Sequence, residues 1–260
     1  MFDIGQTVTV DNTALFVSEA GKADGEPIVL LHGGLGSRND FLPLAKYLAA
    51  DYRLIAIDSR GHGRSELGDA PLTYHRLEQD VSAVLTALGL TGAGIIGHSD
   101  GGIVALRLAA SGSVKPRFVV AVGAHWQLSA DDPTRGIYQG VTENAWREMF
   151  AQQIRQYEAE NPKPDFAALF AATTAMWLGN DDDAYPGASV RSIACPLLVV
   201  RGDDDFLVSR SQAFDLAEQV TGARLLNLPF ASHTLLEESP EAVLPAFKAF
   251  LAGLPPTPQR

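Results

Sequence analysis

The chain has 260 residues, enough for one domain with a full core and room for an inserted subdomain. Hydrophobic residues make up 46% and charged residues 20%, the balance of an ordinary globular domain. A formal net charge of −11 argues against nucleic acid and anionic membrane surfaces as partners and leaves a small molecule, neutral or cationic, as the expected ligand.

The opening Met1-Phe2-Asp3-Ile4-Gly5-Gln6 lacks a basic region followed by an apolar run, and no later stretch is apolar for long enough to span a bilayer. The single cysteine, Cys195, has no partner for an intramolecular disulfide, so a cytoplasmic location is expected. Residues 7–10 and 14–18 read as two strands around the turn pair Asp11-Asn12. Residues 27–31 are continuously apolar, as in a strand covered on both faces, and run into His32-Gly33-Gly34-Leu35-Gly36. A helix is expected over 41–48, then a buried strand over 54–57 closed by Asp58-Ser59-Arg60-Gly61-His62-Gly63-Arg64-Ser65. Residues 77–88 have amphipathic spacing and stop at Gly89.

Next, Ile95-Ile96-Gly97-His98-Ser99-Asp100-Gly101-Gly102 is a short strand running into G-x-S-x-G, with a helix following over 103–110. A sixth strand is expected over 118–122. The alternation then lapses, and 125–188 are mostly helix-like with scattered aromatics. It resumes with a strand over 196–200, a helix opened by the S-x-x-Q box of Ser209 and Gln212, and a strand over 225–228. A last helix is expected to be capped by Ser239, with Pro240 at its first position. The only low-complexity stretch is the tail Pro255-Pro256-Thr257-Pro258, and no motif indicates an oligomeric state. This rhythm predicts an α/β fold with a mostly parallel central sheet flanked by helices. The core would comprise 1–124 and 189–260, with 125–188 as a helical cap inserted after the sixth strand.

A serine hydroxyl becomes a nucleophile when a neighbouring base takes its proton, and that base needs an acid to fix its tautomer. Both must lie at the carboxyl edge of the sheet with Ser99. Of six histidines, His32 and His62 lie in Gly-rich turns and suit structural roles, His75 begins a helix, and the His98 ring should point away from the hydroxyl. His125 ends a strand where the helical excursion begins; it could line a pocket or be a plain loop residue. His233, just past the last strand, is the expected base. Asp203, Asp204 and Asp205 offer three carboxylates after the strand at 196–200, one of which suffices. A histidine base predicts that kcat/KM falls in acid, in the range of roughly 6–7 of an ordinary imidazole.

These motifs, in this order, resemble the α/β-hydrolase fold superfamily over nearly the whole chain. The resemblance implies that Asp205 is the acid, within Gly202-x-x-Asp205-x-x-Val208. It also implies that the backbone N–H groups of Gly34 and Asp100 form the oxyanion hole. His32-Gly33-Gly34-Leu35-Gly36 is similar to the family's oxyanion loop, and the turn at 58–65 to its D-x-R-G-x-G-x-S scaffold. Serine rather than aspartate at the centre of the elbow sets the chain apart from the dehalogenases and epoxide hydrolases of this fold. The implied activity is hydrolysis of small carboxylic esters, with amides and lactones as neighbouring substrates, through an acyl-enzyme on the Ser99, His233, Asp205 triad. Carbon–carbon bond hydrolysis of vinylogous diketones and a ligand-sensing member with little turnover are the alternatives. Neither metal nor organic cofactor is called for.

Substrate contacts are expected from His125, Trp126, Trp146 and Trp177, although aromatics in the excursion also serve to pack it onto the core. Asp100 is a carboxylate beside the nucleophile, and Ser99-Asp100-Gly101-Gly102 resembles the valacyclovir-hydrolase-like branch. That likeness implies that Asp100 attracts a cationic or hydrogen-bond-donating acyl group.

Overall fold

The computed structural model describes residues 1–255; residues 256–260, which hold most of the proline-rich tail, lie outside them. The strands are β1 (Gly5–Val10), β2 (Thr13–Gly21), β3 (Glu26–Leu31), β4 (Tyr52–Ile57), β5 (Gly94–His98), β6 (Val119–Val122), β7 (Leu197–Gly202) and β8 (Arg224–Leu228). They form one sheet in the order β1-β2-β4-β3-β5-β6-β7-β8. The β1–β2 and β2–β4 pairs are antiparallel and every later pair is parallel. Asp11 and Asn12 both take positive φ, 45° and 59°, which suits a tight turn between strands of right-handed twist.

Alternation along the parallel strands divides the core. Val29, Leu31, Ile55, Ile57 and Ile95 face α2 (Tyr74–Ala87) and α3 (Asp100–Ser111). Ile28, Leu30, Leu54, Ala56 and Ile96 face α1 (Leu42–Leu48) on the other side. Each of the Val, Leu and Ile side chains, fully buried, contributes about 1.5–3 kcal/mol. Between β6 and β7 come α4 (Pro133–Gly140), α5 (Glu143–Met149), α6 (Ala151–Glu160) and α7 (Phe166–Trp177). The remaining helices are α8 (Arg210–Gln219), against the α2–α3 face, and α9 (Leu235–Glu238) and α10 (Pro240–Ala252), against the α1 face.

Three local expectations are corrected. Helix α2 starts at Tyr74, three residues earlier than its apolar spacing suggests, because the Thr73 hydroxyl caps it by accepting from the Arg76 N–H. At α8 only half the capping box forms: Ser209 accepts from the Gln212 N–H, but the Gln212 amide donates to Asp132 instead. Ser239 makes no side-chain cap, since the extra turn α9 already runs into it and its N–H bonds to Leu235 O.

The excursion is anchored to the turn that follows β4. Asn161 donates from Nδ2 to the carbonyls of Gly63 and Ser65, both at 2.9 Å. Glu160 pairs with buried Arg38, which in turn holds buried Asp58 at 2.7 Å. A small satellite core of Ile154, Phe166 and Phe170 closes over Leu35, the residue after Gly34.

Candidate active site

Ser99 sits between β5 and α3 at φ 51°, ψ −118°, a strained conformation for a residue with a side chain. Such strain costs about 1–3 kcal/mol and persists only where surrounding packing enforces it. Here the enforcement is steric: a Cβ at Gly97 would collide with the carbonyl of Gly101, and one at Gly101 with that of Leu31. The Ser99 N–H donates to Val122 O at 2.8 Å, fixing the elbow to the end of β6. Ser99 is half-buried, and among the described residues its hydroxyl has no hydrogen-bond partner. Hydrogen bonds of such hydroxyls tighten when substrate is seated.

The loop after β7 carries Asp205 and the loop after β8 carries His233. The two loops are stitched together by Asp203 N–H to Leu228 O at 2.8 Å and Asp204 N–H to Ala231 O at 2.9 Å. His233 Nδ1 lies 2.9 Å from Asp205 Oδ2. Because the carboxylate only accepts, Nδ1 carries the proton and the neutral ring keeps its lone pair on Nε2. Burial raises the Asp205 pKa, but bonds from His233 and from the N–H groups of Val208 and Leu207 outweigh it, and the net shift is downward. Arg201, itself buried, closes this loop by donating to Val208 O at 2.6 Å, Asp205 O at 3.1 Å and Asn227 Oδ1 at 2.9 Å.

Gly123, the residue after β6, measures how the pieces meet. A Cβ there would lie 3.1 Å from the His233 ring and 3.4 Å from Asp205 Oδ2, while its neighbour Val122 holds the Ser99 N–H. The His98 and His233 rings are 5.1 Å apart, and His98 Nε2 donates to the backbone carbonyl of His233 at 2.8 Å. Ser99, Asp205 and His233 therefore share one rim of the sheet.

Opposite them runs the loop 32–36. A Cβ on Gly33 would stand 3.2 Å from Ser99 Cβ. His62 Nε2 accepts from the Leu35 N–H at 3.0 Å and His32 Nε2 from the Ser59 N–H at 3.0 Å, so both imidazoles act as loop clips. Among the described residues nothing accepts from the backbone N–H of Gly34 or of Asp100. Burial pushes His32, His98 and His125 down to about 4 and His62 to about 3, so all four are neutral at neutral pH. His75, in the first turn of α2, is partly exposed and bonded to Gln79 and Arg107.

The Asp100 side chain is held in an aromatic cluster that sequence patterns did not reveal. Trp177 Nε1 donates to both its oxygens, at 3.1 and 2.9 Å, and the Tyr74 hydroxyl donates to Oδ1 at 2.8 Å. Tyr185 donates to Trp177 O at 2.7 Å, and Tyr138 stacks on the indole with ring centres 4.9 Å apart. Burial raises the Asp100 pKa against the pull of these donors, and the Tyr74 phenol stands well above its ordinary range. Trp146 packs on Phe150, Phe170 and Trp177. His125 and Trp126 are buried at the base of the excursion, and neither His125 Nε2 nor Trp126 Nε1 has a partner among the described residues. Among those residues no group of His, Cys, Asp and Glu converges as a metal site would require.

The sheet order, the strained serine and the loops gathered at one rim are those of a known family, and the model of the Alpha/beta hydrolase family matches residues 28–246. The chain belongs to the alpha/beta hydrolase family. Within it, the chain is 29% identical to the Non-heme chloroperoxidase of Streptomyces lividans, over 95% of this chain and 99% of that one. It is 30% identical to Esterase YbfF of Escherichia coli (strain K12), over 86% and 92%. Its identity to Serine hydrolase BPHL of Homo sapiens is 28%, over 88% and 79%, in keeping with the valacyclovir-hydrolase-like resemblance. In fold, this alpha/beta hydrolase superposes on the meta-cleavage product hydrolase from Pseudomonas fluorescens IP01 with a TM-score of 0.79 at 19% identity, covering 96% and 98% of the two chains. No helix among the described residues is long and apolar enough to cross a membrane.

Proposed function

We propose that this alpha/beta hydrolase cleaves small carboxylic esters, and related amides and lactones, through a covalent acyl-enzyme on Ser99. His233 Nε2 takes the hydroxyl proton as Ser99 Oγ attacks the acyl carbon, and Asp205 stabilises the imidazolium that results. The N–H groups of Gly34 and Asp100 receive the oxyanion, aided by the N-terminus of α3. Collapse breaks the acyl–oxygen bond while His233 returns the proton to the departing alcohol. Water then repeats the sequence and frees the acid. Residues 125–188 serve as the cap, in which Trp177 and Trp126, with His125, line the acyl side, and Trp146 holds Trp177 from behind.

The observation that carries this reading is the 2.9 Å contact between His233 Nδ1 and Asp205 Oδ2 on the rim that bears the strained Ser99. The test is labelling with a fluorophosphonate, with the modified peptide mapped, alongside turnover of p-nitrophenyl esters and of ring-cleavage dienones. Adduct on Ser99, ester turnover and loss of both in Ser99→Ala are expected. Ester turnover that survives Ser99→Ala, or turnover of dienones alone, would overturn the proposal.

A further inference from the structure

Asp100 is a buried carboxylate on the residue after the proposed nucleophile, so its charge bears on any acyl group seated there. The donors expected to come from a substrate are supplied by the chain itself. Trp177 reaches both oxygens and Tyr74 reaches Oδ1. Asp100 is 5% exposed and Trp177 6%, so neither group is free to turn toward solvent. The space beside them is filled as well. A Cβ on Gly34 would collide with Asp100 Oδ2 and stand 2.7 Å from the Trp177 ring. An ammonium group approaching Asp100 would have to expel an indole that Tyr138 stacks on and whose own backbone carbonyl Tyr185 holds.

We propose that Trp177, by occupying Asp100, sets the acyl preference of the site: neutral acyl groups are taken, α-amino acyl groups are disfavoured, and removing the indole N–H turns Asp100 into an ammonium-binding acid. The inference rests on Ser99 being the nucleophile. Its physical core is that a buried carboxylate oxygen stripped of its donor is costly and recruits the nearest cation. Trp177→Phe keeps an aromatic ring in the cluster, deletes the N–H and leaves Oδ2 without that partner.

The test compares the ethyl esters of phenylalanine and of 3-phenylpropanoate, which differ only in the α-amino group, at a pH where the amine is protonated. Wild type should favour the neutral ester in kcat/KM. Trp177→Phe should raise the amino-to-neutral ratio by about tenfold or more, the reach of one charge-assisted hydrogen bond, and adding Asp100→Asn should abolish the gain. Tyr74→Phe, which withdraws the other donor, should move the ratio the same way and stands in if Trp177→Phe does not fold. A wild-type preference for the amino ester, or an unchanged ratio in the folded variants, would overturn the inference. Calorimetric binding of phenylalaninamide and 3-phenylpropanamide gives the same ratio without turnover. Absence of Ser99-dependent hydrolysis would thus sink the ester reading while leaving the role of Trp177 to be decided by binding.

Discussion

Asp205 divides its two oxygens between His233 and its own loop. Oδ2 accepts from the imidazole at 2.9 Å, while Oδ1 takes the N–H groups of Leu207 at 2.8 Å and Val208 at 2.9 Å. An amide at this position cannot satisfy both sets of donors. In Asp205→Asn either the loop loses acceptors or the NH2 meets the ring and forces the proton onto Nε2. The expected loss in kcat on p-nitrophenyl esters is about 10⁴-fold, the effect of a wrong tautomer in such triads.

The same residue sets a stability term in acid. Its folded pKa lies below the ordinary 3.8, so the unfolded chain binds the proton first as pH falls. The contribution is whole above the unfolded value and disappears as pH drops through the folded one. The Tm advantage of wild type over Asp205→Asn should therefore be constant above about pH 5 and shrink below about pH 4. A gap that stays constant into stronger acid would contradict the assigned shift.

Asp40 should act with the opposite sign. Burial, with the nearby charge of Glu237, raises it to about 8 against the Ser37 N–H that it accepts. Between its unfolded and folded values the native state holds the extra proton, so stability falls as pH rises and levels off above about 8. Asp40→Asn keeps an acceptor for Ser37 and should flatten the Tm profile across that range. An identical slope in the two proteins would count against it.

Arg201 holds the loop of Asp205 through Val208 O and Asp205 O, and among the described residues it makes no hydrogen bond to His233. Arg201→Met should lower kcat by about a hundredfold, the scale of an ångström-sized misplacement, with KM little changed and partial recovery in Arg201→Lys. A rise in KM at constant kcat would instead mark a role in substrate binding.

Gly34→Ala tests the oxyanion role proposed for the loop 32–36. The added methyl would meet the Asp100 carboxylate and the Trp177 ring and push the loop out of register. A loss of about 10²–10³-fold in kcat with a folded protein is expected, as when one oxyanion donor is withdrawn. Full activity would remove the Gly34 N–H from the mechanism.

The parts of the architecture visible in the sequence were those carried by local pattern. Apolar runs at 27–31, 54–57 and 196–200 marked strands covered on both faces, and glycines around Ser99 marked a turn too tight for side chains. The start of α2 precedes its apolar spacing, which begins at Leu77, because Thr73 and Tyr74 open the helix through a cap and a hydroxyl. The cluster around Asp100 left no signature. Tyr74 and Trp177 lie 26 and 77 positions from it, and their polar atoms look like those of any half-apolar aromatic until the chain is folded. A tryptophan closing a mostly apolar helix, α7, was the one available hint.

The tether from His98 grips the main chain at 233 and not the side group. It is therefore blind to which amino acid stands there. An engineer wishing to trade the proposed proton carrier for another, or for none, can rewrite that position and keep the strand end, the elbow and the last loop moored to one another.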